Sequence, residues 1–122
     1  NETRYEELHT DDAEMVVVGY GIVSRLLRSA VSRVRAEGLK VGLLRPITLW
    51  PFPHERLAEL SDEVKGFLVA ELSTGQMVED VRLAVEGKVP VALHGRWGGA
   101  VPSVEELARA IQAAYPTEGR AS

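Results

Sequence analysis

Two stretches decide the fold of this chain: Val41-Gly-Leu-Leu-Arg-Pro-Ile-Thr-Leu-Trp-Pro-Phe-Pro53 and Val69-Ala-Glu-Leu-Ser-Thr-Gly-Gln-Met-Val-Glu-Asp-Val81. Each begins as a short apolar run, passes through a turn and enters a segment that can form a helix. A continuous apolar run is typical of a strand that is buried on both faces, whereas a half-exposed strand alternates apolar and polar residues. Both stretches therefore predict buried strands of a parallel sheet that helices cover.

The same strand–helix unit occurs four times along the chain. The predicted strands are Met15–Gly19, Lys40–Leu44, Gly66–Leu72 and Val89–Leu93, and the predicted helices are Val23–Glu37, His54–Leu60, Gly75–Val85 and a last one that runs to about Tyr115. In the first helix, apolar residues recur at i, i+3, i+4 and i+7, the period of one helix face. We expect an α/β three-layer sandwich, in which a mostly parallel sheet has helices on both faces and right-handed crossovers.

The 122 residues suffice for one domain. We expect a single α/β domain over 13–115, an N-terminal arm or linker over 1–12 and a polar tail over 116–122. Gly38 follows the first helix, where a left-handed residue commonly ends a helix. Ser103 and Glu106 form a capping-box pattern at the start of the last helix. Because the first residue is Asn1 rather than Met, we also expect a processed or excised segment.

Composition excludes several classes of function. The net charge of −4 and the pI of about 5.4 argue against a nucleic-acid partner, because phosphate contacts need a basic surface. No apolar run approaches the ~20 residues of a membrane helix, and we expect no membrane partner. The chain has no cysteine, which excludes disulfides and iron–sulfur ligation by these residues and fits a cytoplasmic protein.

Polar and aromatic side chains follow the predicted strands. In an open α/β sheet, ligands usually bind beyond the carboxyl ends of the strands, which here share one edge. The candidates for a ligand-binding or partner-binding edge are Tyr20, Arg45, Glu71, Gln76, His94, Arg96 and Trp97. We predict no catalytic, cofactor-binding or metal-ligating residue, because the three histidines lack the spacing of metal ligands and no nucleophile-elbow or phosphate-loop motif occurs.

Several of these residues allow two interpretations. Glu71 is either a general acid or base with a raised pKa, or a residue that caps a turn or pairs with Arg45 or Arg96. Gly19-x-Gly21-x-x-Ser24 is either a weak dinucleotide-binding pattern or a tight turn from strand to helix.

Two further features also allow alternative interpretations. One is the loop after the fourth strand, and the other is the first helix. His94 and Arg96 either hold an anion or are ordinary loop residues, and Trp97 either anchors an interface or packs on its own domain. On the first helix, Arg25, Arg28, Arg33 and Arg35 form either a solvated polar face or a docking face for an acidic partner.

Residues 11–107 resemble the C-terminal domain of the alpha subunit of 2-oxoacid:ferredoxin (acceptor) oxidoreductases, which is transketolase C-terminal-like. The matching segments, in order, are Asp12–Glu14, Tyr20-Gly21, Gly42–Pro53, Gly75–Arg82, Gly87–Pro90 and Gly95-Arg96-x-Gly98-Gly99. The resemblance implies a complex that converts a 2-oxoacid to an acyl-CoA with thiamine diphosphate, Mg and iron–sulfur clusters. Its implied partners are a pyrimidine-binding domain, a beta subunit, coenzyme A and ferredoxin.

The chain departs from that family in what it lacks. It contains no pyrimidine-binding domain, no Gly-Asp-Gly diphosphate motif and no cysteine. We therefore expect a non-catalytic structural or assembly domain that is inactive in isolation. The alternative is a freestanding ligand-binding or regulatory module that binds a nucleotide or other anion at the carboxyl edge of the strands.

Overall fold

The computed structural model describes residues 4–47, 51–72, 75–95 and 101–116. Within them the chain forms five strands and four helices. In order, these are β1 (Tyr5–Leu8), β2 (Met15–Gly19), α1 (Ile22–Ala36), β3 (Val41–Pro46), α2 (His54–Ser61), β4 (Phe67–Glu71), α3 (Gln76–Val85), β5 (Val91–Gly95) and α4 (Val104–Ala114). No described helix combines the length and the apolar character needed to cross a membrane.

The strands form one sheet in the order β1-β3-β2-β4-β5. Strands β2 to β5 pair in parallel, and β1 pairs with β3 in the antiparallel sense. Strand β2 lies at the centre, because β3 pairs on one side of it and β4 on the other. The predicted α/β class with a mostly parallel sheet is confirmed.

Two apolar clusters, one on each face of the sheet, form the core. Met15 and Val17 of β2 pack with α1 and α4, whereas Val16 and Val18 pack with α2 and α3. All four side chains are fully buried. Burial of each valine stabilises the fold by about 1.5–3 kcal/mol. The unbroken apolar run of β2 therefore reflects a strand that helices cover on both faces, which confirms the predicted layers.

Strand β1 was not predicted, and it lies inside the segment expected to be an arm or linker. Its sequence, Tyr-Glu-Glu-Leu, carries two acids, and its residues are exposed or half-buried. Charged side chains attach it to the domain: Arg45 of β3 donates to Glu6 at 2.6 Å, and Arg56 of α2 donates to Glu7 at 2.5 Å. The strand has no buried apolar run, so the pattern that revealed the other strands is missing here.

The helix ends agree with the predicted capping residues. Gly38 has a φ of 98°, the left-handed conformation expected just after α1. At the start of α4, the Glu106 backbone N–H donates to Ser103 Oγ at 3.0 Å. Both signals depend on local sequence alone, which explains why they could be predicted.

Candidate binding crevice at the strand ends

A crevice of about 740 Å³ opens at the carboxyl edge of the sheet, between β2 and β4. The chain leaves β2 toward β3 on one side and later enters β4 on the other, so the loops after β2 and β4 diverge. Such a reversal of strand order is where open α/β sheets usually bind ligands. Residues 20–23 line one wall of the crevice, and the described residues of the other wall are Glu71, Leu72, Gln76, Met77, Glu79 and Asp80.

The mouth of the crevice combines apolar and acidic groups. Tyr20 and Ile22 are 43% and 54% exposed and together present apolar surface beside the cavity. Glu79 and Asp80 of α3 add carboxylates, and His54 Nε2 lies 3.8 Å from Asp80 Oδ1. Every charged residue among the described lining is acidic. This surface suits an apolar group next to a cation better than it suits an anion.

Glu71 is buried at the base of the crevice and caps α3. Its Oε1 accepts the N–H of Met77 and its Oε2 accepts the N–H of Val78, each at 3.2 Å. These N–H groups lie in the first turn of α3 and have no partner inside the helix. Gly75, which precedes the helix with a φ of 98°, has no side chain to cap it. Of the two interpretations of Glu71, the structure supports the capping residue.

The structure brings three of the predicted edge residues together: Tyr20, Glu71 and Gln76 all line the crevice. Arg45 does not line it and pairs instead with Glu6 of β1. His94 is half-buried, with Nε2 2.8 Å from Glu106 Oε2 of α4. A carboxylate beside the imidazole opposes the idea that His94 holds an anion.

Arg96 and Trp97 lie outside the described residues, as do residues 48–50.

Sequence reasoning missed Ile22 and Met77 as crevice residues. Ile22 carried a usable signal, because the apolar face of α1 begins at Val23 and Ile22 falls outside the i, i+3, i+4 series. An apolar residue off the buried face of a helix marks a possible contact surface. Met77 gave no such signal, since it belongs to the apolar face of α3 and also borders the crevice.

Two acids of the N-terminal segment, Glu7 and Asp12, have lowered pKa values. The hydrogen bond from Arg56 lowers the pKa of Glu7 below its usual value, with a smaller contribution from Thr10. The hydrogen bond from Arg35 lowers the pKa of Asp12 in the same way. These ion pairs hold β1 and the turn after it against the domain.

Metal ions and iron–sulfur clusters each require a particular set of ligand side chains. Among the described ranges, no three His, Asp or Glu side chains converge in a way that could hold a metal ion. The whole sequence has no cysteine to ligate a cluster.

Comparison with known proteins assigns the chain to one family. Residues 13–107 match the family described as pyruvate:ferredoxin oxidoreductase core domain II. The chain is 52% identical over 112 residues to the ketoisovalerate oxidoreductase subunit VorB of Methanothermobacter thermautotrophicus, which covers 92% of this chain and 32% of that protein. It is 39% identical over 100 residues to the 2-oxoglutarate synthase subunit KorA of Methanocaldococcus jannaschii, covering 82% of this chain and 27% of that protein.

Two solved structures share the fold. A 2-oxoglutarate:ferredoxin oxidoreductase from Magnetococcus marinus aligns with a TM-score of 0.80 at 24% identity, over 92% of this chain and 20% of that one. A split gene transketolase aligns with a TM-score of 0.76 at 18% identity, over 91% and 41%. The transketolase-like fold is thereby confirmed. The chain spans about a third of the length of the curated relatives that it matches.

Proposed function

Because this chain belongs to the pyruvate:ferredoxin oxidoreductase core domain II family, we propose that it is a non-catalytic structural or assembly domain of a thiamine-diphosphate-dependent 2-oxoacid:ferredoxin oxidoreductase. The full complex oxidatively decarboxylates a 2-oxoacid to an acyl-CoA and passes the electrons to ferredoxin. The partners of this domain are a pyrimidine-binding domain and a beta subunit, and the complex works in the cytoplasm. The domain itself supplies contact surface.

The state of Glu71 is the observation that supports the non-catalytic role most directly. A general acid or base must reach the proton that it transfers. Among the described residues of the strand-end edge, Glu71 is the buried ionisable group, and both of its oxygens accept backbone N–H groups of α3. Its carboxylate holds the helix and orients the wall of the crevice.

The crevice is the proposed contact surface between this domain and the rest of the complex. Tyr20 and Ile22 offer exposed apolar area, and Glu79 and Asp80 place negative charge beside it. Interfaces commonly bury an apolar or aromatic anchor and surround it with polar groups. An apolar side chain next to an arginine or lysine of a neighbouring domain fits this wall. From their sequence, Arg96 and Trp97 are further candidates for the same contact.

Residues outside this chain bind the cofactors of the complex. Thiamine diphosphate with Mg needs oxygen ligands and phosphate-binding groups, whereas the charged residues lining the described crevice are acidic. Iron–sulfur clusters need thiolates, and this sequence has none. No step of the reaction is therefore assigned to a side chain of this domain.

The sequence identities to the relatives favour a branched-chain 2-oxoacid as the substrate of the complex. The chain is 52% and 50% identical to two ketoisovalerate oxidoreductase subunits, and 34–39% identical to the 2-oxoglutarate synthase subunits. The freestanding nucleotide-binding or regulatory module is not favoured. The charged residues in the described lining of the crevice are all acidic, and like charge disfavours the phosphates of a nucleotide there.

Isolation of the affinity-tagged protein from its own cells tests this proposal. We expect it to co-purify with larger subunits, thiamine diphosphate and iron in fixed ratios, and with activity on 2-oxoisovalerate. The isolated chain should neither bind thiamine diphosphate tightly by calorimetry nor decarboxylate any 2-oxoacid. Tight thiamine diphosphate binding by the pure chain, or purification without thiamine diphosphate and iron, contradicts the proposal.

A further inference from the structure

A second groove, separate from the crevice, lies between α1 and the β1–β3 edge of the sheet. Its volume is about 250 Å³. Its polar lining consists of Ser24, Arg25 and Arg28 of α1, Arg45 of β3, and Glu6 and Glu7 of β1. Three arginines therefore face two carboxylates around one small space. We call this space the arginine groove.

The two carboxylates of the arginine groove are already matched by other cations. Glu6 accepts from Arg45 at 2.6 Å. Glu7 accepts from Arg56 of α2, which donates to both of its oxygens at 2.5 and 3.0 Å. Neither acid needs Arg25 or Arg28 to balance its charge.

Arg25 and Arg28 are the uncommitted cations of the groove. Within the ranges that the structure describes, neither has a hydrogen-bond or ion-pair partner. They lie three residues apart on one helix, so their side chains share a face. The hydroxyl of Ser24 already donates to the Gly21 carbonyl at 2.6 Å. The free donors at the groove are therefore two guanidinium groups.

We propose that the arginine groove binds a phosphoryl group as its dianion, held by Arg25 and Arg28. Guanidinium groups bind phosphate oxygens with paired N–H donors and keep their charge at all physiological pH values. A dianion matches two otherwise unpaired cations. Since one water occupies about 30 Å³ of liquid, the groove has room for a phosphoryl group and several waters. The remainder of any larger ligand lies outside it, toward solvent.

The same chemistry can come from inorganic phosphate or from the phosphate of a larger metabolite or cofactor. Two arms of one experiment distinguish these sources. Binding of inorganic phosphate and of ADP to the purified protein is measured by calorimetry at constant ionic strength, with chloride as the balancing ion. Equal affinities assign the site to the phosphoryl group alone, and tighter binding of ADP assigns it to a phosphate-bearing molecule with further contacts.

The double variant Arg25→Gln/Arg28→Gln tests the residues. Both side chains are exposed, so we expect the variant to fold. We expect it to bind both ligands about a hundredfold more weakly or worse, the effect of losing two charge-assisted contacts. Arg33→Gln is the matched control, because Arg33 is exposed on the same helix and does not line the groove. It should change binding less than twofold.

Arginine side-chain NMR gives a second readout that needs no folded variant. Inorganic phosphate should shift the Nε–Hε signals of Arg25 and Arg28 in the wild-type protein and leave that of Arg33 in place. Three results overturn the proposal: no binding of either ligand, equal weakening by Arg33→Gln, or shifts that are equal at all exposed arginines. The outcome is independent of the oxidoreductase assignment, because the site is defined on this chain alone.

Discussion

Glu71 stands at the end of a buried strand, where a catalytic carboxylate is often found, and it serves as the cap of α3. Sequence could place it at the end of a strand and before a helix. It could not give the direction of the side chain, which depends on the turn to Gly75 with its φ of 98°. The sequence left capping and catalysis open, and two distances of 3.2 Å favour capping.

Glu71→Gln should lower the free energy of unfolding by about 1–2 kcal/mol. The amide keeps one acceptor oxygen but turns an NH2 group toward a buried N–H, which leaves that donor unsatisfied. Urea unfolding monitored by circular dichroism measures the difference. Glu79→Gln, an exposed change in the same first helical turn, should shift stability by less than about 0.5 kcal/mol. If Glu71→Gln left the free energy of unfolding unchanged, the carboxylate would not be the cap of the helix.

The pair of Glu7 and Arg56 predicts a pH dependence of stability. Arg56 lowers the pKa of Glu7 in the folded state. A lowered folded pKa means that the stabilisation is complete above the unfolded pKa, about 4.3, and is lost as the pH falls through the folded value. Glu7→Gln should therefore lower the free energy of unfolding at pH 7 by about 1 kcal/mol, and the difference from wild type should shrink below pH ~4.

Urea unfolding of Glu7→Gln and wild type at pH 7, 4 and 3 measures this difference in the free energy of unfolding. Glu6→Gln is the control, because its side chain is 61% exposed and its pair with Arg45 is better screened by solvent. The difference in free energy of unfolding between Glu7→Gln and wild type could instead stay constant across this pH range. The ion pair would then contribute no pH-dependent stability.

At the scale of elements, the sequence predicted what local patterns encode. Strands β2, β3 and β4 begin as buried apolar runs and the helices carry 3.6-residue periodicity, and these predicted elements appear in the structure, whereas β5 forms as a partly exposed edge strand. Strand β1 was not predicted because it is attached by ion pairs to β3 and α2 and not by an apolar face. Such long-range charge pairs have no local signature.

Gly42 of β3 allows the turn after β1 to approach the sheet. A Cβ at this position would lie 2.8 Å from the carbonyl oxygen of His9 and 3.0 Å from Thr10 Cα. Because both neighbours are backbone atoms, Gly42→Ala should displace the turn and lower the free energy of unfolding by about 1–3 kcal/mol.

Gly66→Ala is the matched control for that substitution. Its Cβ would meet only the Pro90 carbonyl oxygen, at an ordinary contact distance of 3.6 Å. Thermal and urea unfolding of the two variants should therefore differ clearly, with Gly66→Ala within about 0.5 kcal/mol of wild type. Equal stability of both variants would mean that the turn does not pack on Gly42.

At the scale of the whole molecule, strand order decides where the crevice lies, and strand order could not be read from one sequence. Tyr20 and Gln76 come together because β2 and β4 are neighbours in the sheet. Arg45 and His94 were expected on the same edge, yet each pairs with an acid of an adjacent element instead. The sequence thus predicts which residues lie at the carboxyl edge of the strands. The strand order then determines which of them form one surface.

We infer that this domain contributes contact surface and no reacting group to the complex. This inference is tested by turnover per assembled complex in two matched variants, Ile22→Asp in the crevice and Leu83→Asp on α3. Leu83 is 69% exposed and does not line the crevice. Assembly is measured by native mass, and turnover by 2-oxoacid-dependent reduction of an electron acceptor.

We expect Ile22→Asp to weaken assembly about tenfold or more, as loss of an apolar interface anchor does. Each complex that still assembles should turn over at the wild-type rate, and Leu83→Asp should leave both quantities unchanged. A fully assembled Ile22→Asp complex that has lost turnover would show instead that the crevice takes part in the reaction itself. Equal loss of assembly in both variants would contradict the crevice as the contact surface.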